Sequence, residues 1–580
     1  MKLPSLILFI TLIVLTITEI PKIETPVNSI NRPLFHFTPP YGWMNDPNGL
    51  WYDATEGVKK WHLYYQYNPN GKVWDLPLYW GHATSTDLIT WVHEDVAVSP
   101  PEEKSGAYSG SAVVDEENTS GFFGASTLDK TQWVIAIWTF NAADWYESQY
   151  VSYSNDAGTS FKHYRMNPVI SMNSKQFRDP QVIRYNGEAG KFWVMSVAKS
   201  HQYKIQFYKS TNLKNWKPIG SFSLYGFLGY QYECPNLAKM QYKGTQTTWL
   251  EKVEKETIEK EGEQISKNYL WVLFISINPG SMQGGSSTQY FIGNFDGTNF
   301  TPIKNYAAPI DYGKDFYALQ LFFNSPDGDI YGVAWASNWQ YCATVPTDNW
   351  RSSMSLVRRL TIDDFESAKN TKIAFIKSEP ITEINNGKLR YGEKTYTFNS
   401  NEQKLNAFYP TYTLDISDQV SGALEFTCEF TVYGNTWTKH NPAHFYLDFK
   451  GYAIPEEYLR LGYEGEAGAF FIDRGHTNVQ WVHDNPYFTD KLSVHIQPID
   501  PSADNKQYKV HGFIDRNIIE LYFNDGFQTS TNTFFMTGGN FIGTVDIKLN
   551  KIAYNEEKNS YFKPFDISLS VQQILGTDGE

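Results

Sequence analysis

Cysteine is scarce in this chain: Cys234, Cys342 and Cys428 are the only three in 580 residues. That excludes a disulfide-built scaffold, permits at most one bridge, and their spacing fits no metal site. Positive charge is also in deficit, with 49 Lys and Arg against 63 Asp and Glu and a formal net charge of −14. An electrostatic nucleic-acid groove is thereby excluded, and a neutral small-molecule substrate fits better. Long apolar runs are missing beyond the N-terminus, so no later stretch could cross a bilayer. The early run, Leu6 to Ile17 behind Lys2, is too short to span comfortably and suits a secretory signal. Residues 1–22 are therefore read as a signal peptide. The chain is read as secreted, extracellular or held in the cell wall, with no membrane association after signal removal. Asn118-Thr-Ser and Asn299-Phe-Thr then become candidate glycosylation sites.

What the chain does have is apolar and aromatic content, 41% and 16% respectively, enough for large cores. Runs of strand length and composition recur: "WHLYYQY" from Trp61, "QWVIAIW" from Gln132, "KFWVMSV" from Lys191, "YLWVLFISI" from Tyr269 and "DIYGVAWA" from Asp329. After each of the first four comes a polar turn closing on Trp or Phe: "STDLITW", "SNDAGTSF", "STNLKNW" and "NFDGTNF". A period of roughly 60 to 80 residues filled with short strands predicts a β-propeller, and five runs predict five blades. A chain of β-sandwiches would not require such similar hairpins at matching places. From about Leu424 the strands shorten and crowd, as in an antiparallel sandwich. The fold class is therefore all-β, a five-bladed β-propeller (30–362), a linker (363–401) and a C-terminal β-sandwich (402–580). One segment breaks the rhythm. Glu251 to Lys267 places Glu and Lys at i,i+4 spacing, as a solvated helix would, in an exposed insertion or a partner-binding arm.

Three acidic residues precede the apolar runs: Asp46 in "WMNDPNG", Asp179 in "QFRDPQV" and Glu233 in "YQYECPNL". Taken alone, each Asp-Pro is a turn. Pro47 and Pro180 push the residue in front of them toward extended backbone, so Asp46 and Asp179 are expected to begin strands. Inner strands of propeller blades line a central channel, so equivalent positions in different blades converge on one pocket. Two such carboxylates can cleave a glycosidic bond as nucleophile and acid/base. A third would hold a sugar hydroxyl and keep the acid's pKa up, with Arg178 keeping that third group ionised. No His accompanies them at ligand spacing, so neither metal nor other cofactor is expected. Trp43, Trp74, Trp80 and Trp339 read individually as core.

These motifs, with "QYNP", "YSGSA", "WASNW" and "ELYFNDG", resemble glycoside hydrolase family 32, most closely its yeast-type invertases, from about Asn31 onward. The resemblance implies a propeller followed by a sandwich. It also implies Asp46 as nucleophile forming a covalent fructosyl intermediate, Glu233 as acid/base and Asp179 as transition-state stabiliser. Trp43, Met44, Asn45, Gln66, Tyr108, Ser109, Arg178 and Trp339 would line the fructose subsite. Tyr108 stands where Phe is common, and Cys234 beside the acid is read as a packed small residue that could tune Glu233. The implied reaction is hydrolysis of terminal non-reducing β-fructofuranosides, chiefly sucrose, with raffinose and short fructans as further substrates. A fructosyltransferase-leaning relative, a fructan exohydrolase and a non-enzymatic sugar-binding propeller are the alternatives. An exposed sandwich edge could pair two copies of the chain.

Overall fold

The structure, a computed structural model, describes residues 31–577 apart from 246–252, 261–262, 305, 385–386, 404, 406–409, 434–443, 466, 495, 551–552, 556–559 and 563. The proposed signal peptide lies outside the described residues.

Five antiparallel blades stand around a channel. Their inner strands are Gly42–Asp53, Gly106–Val114, Arg178–Gly187, Tyr232–Tyr242 and Tyr317–Leu321. Each packs on the next and the fifth packs on the first. The five aromatic runs are the second strands, Lys60–Asn68, Val134–Asn141, Gly190–Lys199, Glu263–Ile277 and Ile330–Ala336. Buried on both faces between neighbouring blades, they read as continuous apolar runs. The repeated turns are one device. Ser85, Ser154 and Ser210 each hydrogen-bond the Asp or Asn two residues on, at 3.1, 2.7 and 3.2 Å, and Asp296 caps the fourth turn by accepting Thr298 N–H. The ring closes where Trp350–Arg351 adds in parallel to Gly42–Trp43 and Phe323 bonds Leu50 and Tyr52.

The helix expected at Glu251 to Lys267 is instead a hairpin. Glu254–Lys260 pairs antiparallel with Glu263–Ile277, setting Glu256 opposite Lys267 and Lys260 opposite Glu263. Of the segment's acidic side chains, Glu254 and Glu256 both ion-pair with Lys239 of the fourth inner strand, at 2.6 and 2.5 Å. The expected linker 363–401 is also structured. Arg358–Ala368 and Thr371–Pro380 complete the fifth blade, and Leu389–Asn399 joins the sandwich by pairing with Phe565–Thr577.

The C-terminal unit stacks two six-stranded sheets over a core that includes Phe426, Phe430, Phe445, Phe449 and Leu461. One sheet presents Glu520, Thr529 and Thr531 to the propeller, where Arg358 donates to Asp311 and Glu520 at 2.9 Å each. Arg474 reaches back to Asp315 at 2.9 Å. All three cysteines are buried and free.

Candidate active site

Every inner strand carries an extra residue at the same level of the channel. Asn45 and Asp46 oppose Gln66 alone, Asp179 and Pro180 oppose Val197, Cys234 and Pro235 oppose Ile275, and Ala318 and Leu319 oppose Ala334. In the second blade the extra residue is Ser109. A bulge interrupts the ladder and re-aims side chains, and proline fits there because no N–H is needed. Asp179, Cys234 and Ala318 take positive φ of 63°, 47° and 55°. Such strain persists only where surrounding packing fixes it, and clusters at functional sites.

The acidic residues do not begin regular strands at equivalent positions, as the sequence suggested. Asp46 is the second bulge residue, Asp179 the first, and Glu233 stands just before the bulge. The slip has a consequence, because Arg178, Glu233 and Tyr317 are the register-equivalent residues of three successive blades. They form one line: Arg178 Nη1 donates to Glu233 Oε1 at 3.0 Å, and Tyr317 Oη donates to Glu233 Oε2. Arg178 also donates through Nε to Glu147 at 2.9 Å. Its guanidinium thus answers Glu147 and Glu233, and reaches Asp179 only as a nearby charge.

Asp46 is held at both oxygens. Ser109 Oγ donates to Oδ2 at 2.7 Å, and Asn45 Nδ2 donates to Oδ1 at 3.1 Å. Asn45 is itself oriented by Trp43 Nε1 at 2.8 Å. Asp179 accepts the Cys234 backbone N–H at 2.9 Å. Cys234 is more than packing. Its sulfur lies 3.5 Å from Asp46 Oδ2 and 3.6 Å from Asp179 Oδ2, so it touches both carboxylates. One sulfur in contact with both also places them well inside the roughly 10 Å outer limit for glycosidase carboxylates.

Burial pushes Asp46 up to about 6; the Ser109 hydrogen bond opposes this and the Glu233 charge adds to it. Burial, then Glu233 and Asp46, push Asp179 well above the usual range against the pull of Arg178 and the Cys234 N–H. Protons held by such a cluster belong to the group as a whole. Asp46 and Asp179 therefore both keep their protons to higher pH than an exposed aspartate does.

The three carboxylates line one open cavity of about 470 Å³ with Asn45, Gln66, Tyr108, Ser109, Arg178 and Trp339. Trp43 and Met44 do not line it: both are buried, Trp43 behind Trp339 at a ring separation of 5.9 Å and Met44 in the first-blade core. Of the candidate glycan sites, Asn299 is exposed, whereas Asn118 is half-buried with its Oδ1 accepting Phe123 N–H at 3.1 Å. Sequence reasoning missed Glu147 and Tyr317 and took Trp74 as core, yet all three line the cavity. Tyr317 could have been found by aligning the fifth blade's "FYALQL" on "YECPNL" at the bulge. Glu147 has no local signal.

The sequence matches the description "Glycosyl hydrolases family 32 N-terminal domain" over residues 36–375 and "Glycosyl hydrolases family 32 C terminal" over 387–563. The chain belongs to glycoside hydrolase family 32. Among its family 32 relatives, Invertase 1 of Saccharomyces cerevisiae is 49% identical, over 89% of this chain and 92% of that protein. The invertase of Kluyveromyces lactis is 43% identical over 90% of each. Among solved family 32 structures, the β-fructofuranosidase of Schwanniomyces occidentalis complexed with fructosyl-erythritol superposes with a TM-score of 0.80 at 36% identity. It covers 94% of this chain and 98% of that one. The exo-inulinase of Aspergillus awamori gives 0.72 at 26% identity, with 95% and 99% covered.

Proposed function

We propose that this enzyme is a retaining β-fructofuranosidase that hydrolyses sucrose to glucose and fructose. The observation that carries the reading is Asp46, buried, fixed at both oxygens, and sharing one cavity with Asp179 and Glu233. Family membership and relatives named invertase support the same activity.

Asp46 Oδ attacks the anomeric C2 of the fructosyl unit as the C2–O bond to glucose breaks. Glu233 gives its proton to the departing glycosidic oxygen. The resulting fructosyl ester is opened by water, whose proton returns to Glu233 as its oxygen bonds C2 and Asp46 leaves as carboxylate. Two inversions give net retention. Asp179 accepts hydrogen bonds from fructose hydroxyls that tighten as positive charge develops at C2. Arg178 and Tyr317 hold the Glu233 carboxyl in place.

A relative named extracellular exo-inulinase, 41% identical, supports activity on short fructans as a second property of the same site, and raffinose, sucrose with one more hexose, is proposed with them. It also supports secretion, as does the apolar leader. Asn299, the exposed sequon, is the preferred glycan site, and an edge of the sandwich offers a route to self-association. Mass analysis of the secreted protein before and after endoglycosidase, and light scattering, check these two features. Product profiles on sucrose and inulin test the main reading: glucose and fructose in equal amounts at low sucrose support hydrolysis. Fructosyl oligosaccharides dominating even there would overturn it in favour of transfer.

A further inference from the structure

Trp145 has no part in the catalytic set, yet its setting is hard to explain as core. It is 47% exposed at the cavity rim and takes a positive φ of 72°, an outlier for a bulky side chain. Packing alone gives no reason to hold an exposed indole in a strained backbone. The strain is maintained by a tight loop between the second and third strands of blade two, residues 142–146. Trp145 N–H donates to Ala142 O at 2.8 Å, and Ala142 N–H donates to Tyr146 O at 3.0 Å. Lys175, from the approach to blade three, sits 5.2 Å over the Tyr146 ring and ties the loop to the next blade.

This loop sets the Trp145 indole nearly parallel to Trp74, with ring centroids 6.2 Å apart and planes at 22°. Trp74 in turn lies 6.1 Å from the ring of Tyr108, whose neighbour Ser109 bonds Asp46. The aromatic row therefore runs outward from the nucleophile in two steps, each of the size of a hexose ring.

We propose that Trp145, backed by Trp74, forms a distal subsite for a second leaving-group sugar. The ring it takes is a hexopyranose beyond the one bonded to the transferred fructosyl unit. The proposal rests on the β-fructofuranosidase reading. A pyranose presents a face of C–H groups that stacks on an indole, whereas sucrose ends one ring short of this position. Raffinose is sucrose extended by one galactopyranose, so comparing the two sugars isolates the contact.

The test uses the full-length enzyme and Trp145→Gly, which removes the ring and suits the positive φ, with Trp145→Phe as the conservative variant. In Trp145→Gly the ratio of kcat/KM for raffinose to that for sucrose is expected to fall about 3- to 10-fold, as a rise in KM for raffinose at unchanged kcat. Trp145→Phe restores most of the ratio. An unchanged ratio in an active variant, or an equal loss on both sugars, overturns the subsite. Failure of the hydrolase reading would show separately, as absent fructose release from sucrose by the unmodified enzyme.

Discussion

The channel mouth and the propeller–sandwich interface both bury carboxylates, but they charge them in opposite senses. At the channel, Asp46, Asp179, Glu147 and Glu233 share one guanidinium, Arg178, and burial with mutual repulsion pushes Asp46 and Asp179 up. At the interface, Glu520 and Asp515 are as deeply buried, yet each is answered. Against the burial that would raise it, Arg358 and His36 bring Glu520 down to about 2. Although burial opposes it, contact with Asp515 at 2.9 Å and Glu520 at 3.4 Å raises His36 to about 9. A surplus of carboxylate makes groups that can exchange protons near working pH, whereas matched charge makes a lock. The protein thus holds reactivity in one place and cohesion in the other.

The sharpest break of this contrast is Asp46→Asn. It is expected to lower kcat on sucrose by about 10⁴-fold or more, while thermal unfolding at pH 7 shifts up slightly, since a buried repelling charge has been removed. Steady-state kinetics with differential scanning fluorimetry read both. A melting temperature that falls by several degrees would show that Asp46 is structural after all.

Arg358→Met should do the reverse, because it strands Asp311 and Glu520 without their cation. A loss of about 3–5 kcal/mol is expected in denaturant unfolding, with sucrose KM at permissive temperature close to that of the unmodified enzyme.

Proton linkage separates the clusters without any change of catalytic residue. His36, raised from 6.5 to about 9, contributes stability that is complete below pH 6.5 and is lost as pH rises through 9. Asp46, raised from 3.8 to about 6, makes ionisation costly, so its contribution to stability falls between those two values. Melting temperature should therefore decline above neutrality in the unmodified enzyme and flatten there in His36→Gln; an unaltered alkaline slope in that variant would remove His36 from the account.

The smallest expected effect is at Ser109. Ser109→Ala removes the 2.7 Å donor that favours ionised Asp46. The acidic limb of kcat/KM against pH should move up by about one unit, and a downward movement would contradict the assigned sign.

Much of the fold was legible because the propeller repeats. Five aromatic second strands recur with four matching turns, three closed by a Ser with Asp or Asn and the fourth by Asp296, each through side chains within a few residues. The hairpin at Glu254–Lys260 was not legible, since its Glu and Lys pattern satisfies both a helix face and a cross-strand register, and only the partner strand decides. Likewise Trp74 read as core from composition, and its placement beside Tyr108 depends on a neighbouring blade.

By itself the sequence set prolines at or beside three of the five bulges. Asp46-Pro47, Asp179-Pro180 and Cys234-Pro235 place prolines where no ladder hydrogen bond is needed, and a local backbone rule is enough to mark them. It also determined which carboxylates were available. Tertiary structure alone decided how they meet. The one-residue offsets between blades set Arg178, Glu233 and Tyr317 in line and put Cys234 against Asp46 and Asp179. Which group ionises follows from that crowding, because burial and repulsion act between residues more than fifty positions apart, through space and not along the chain.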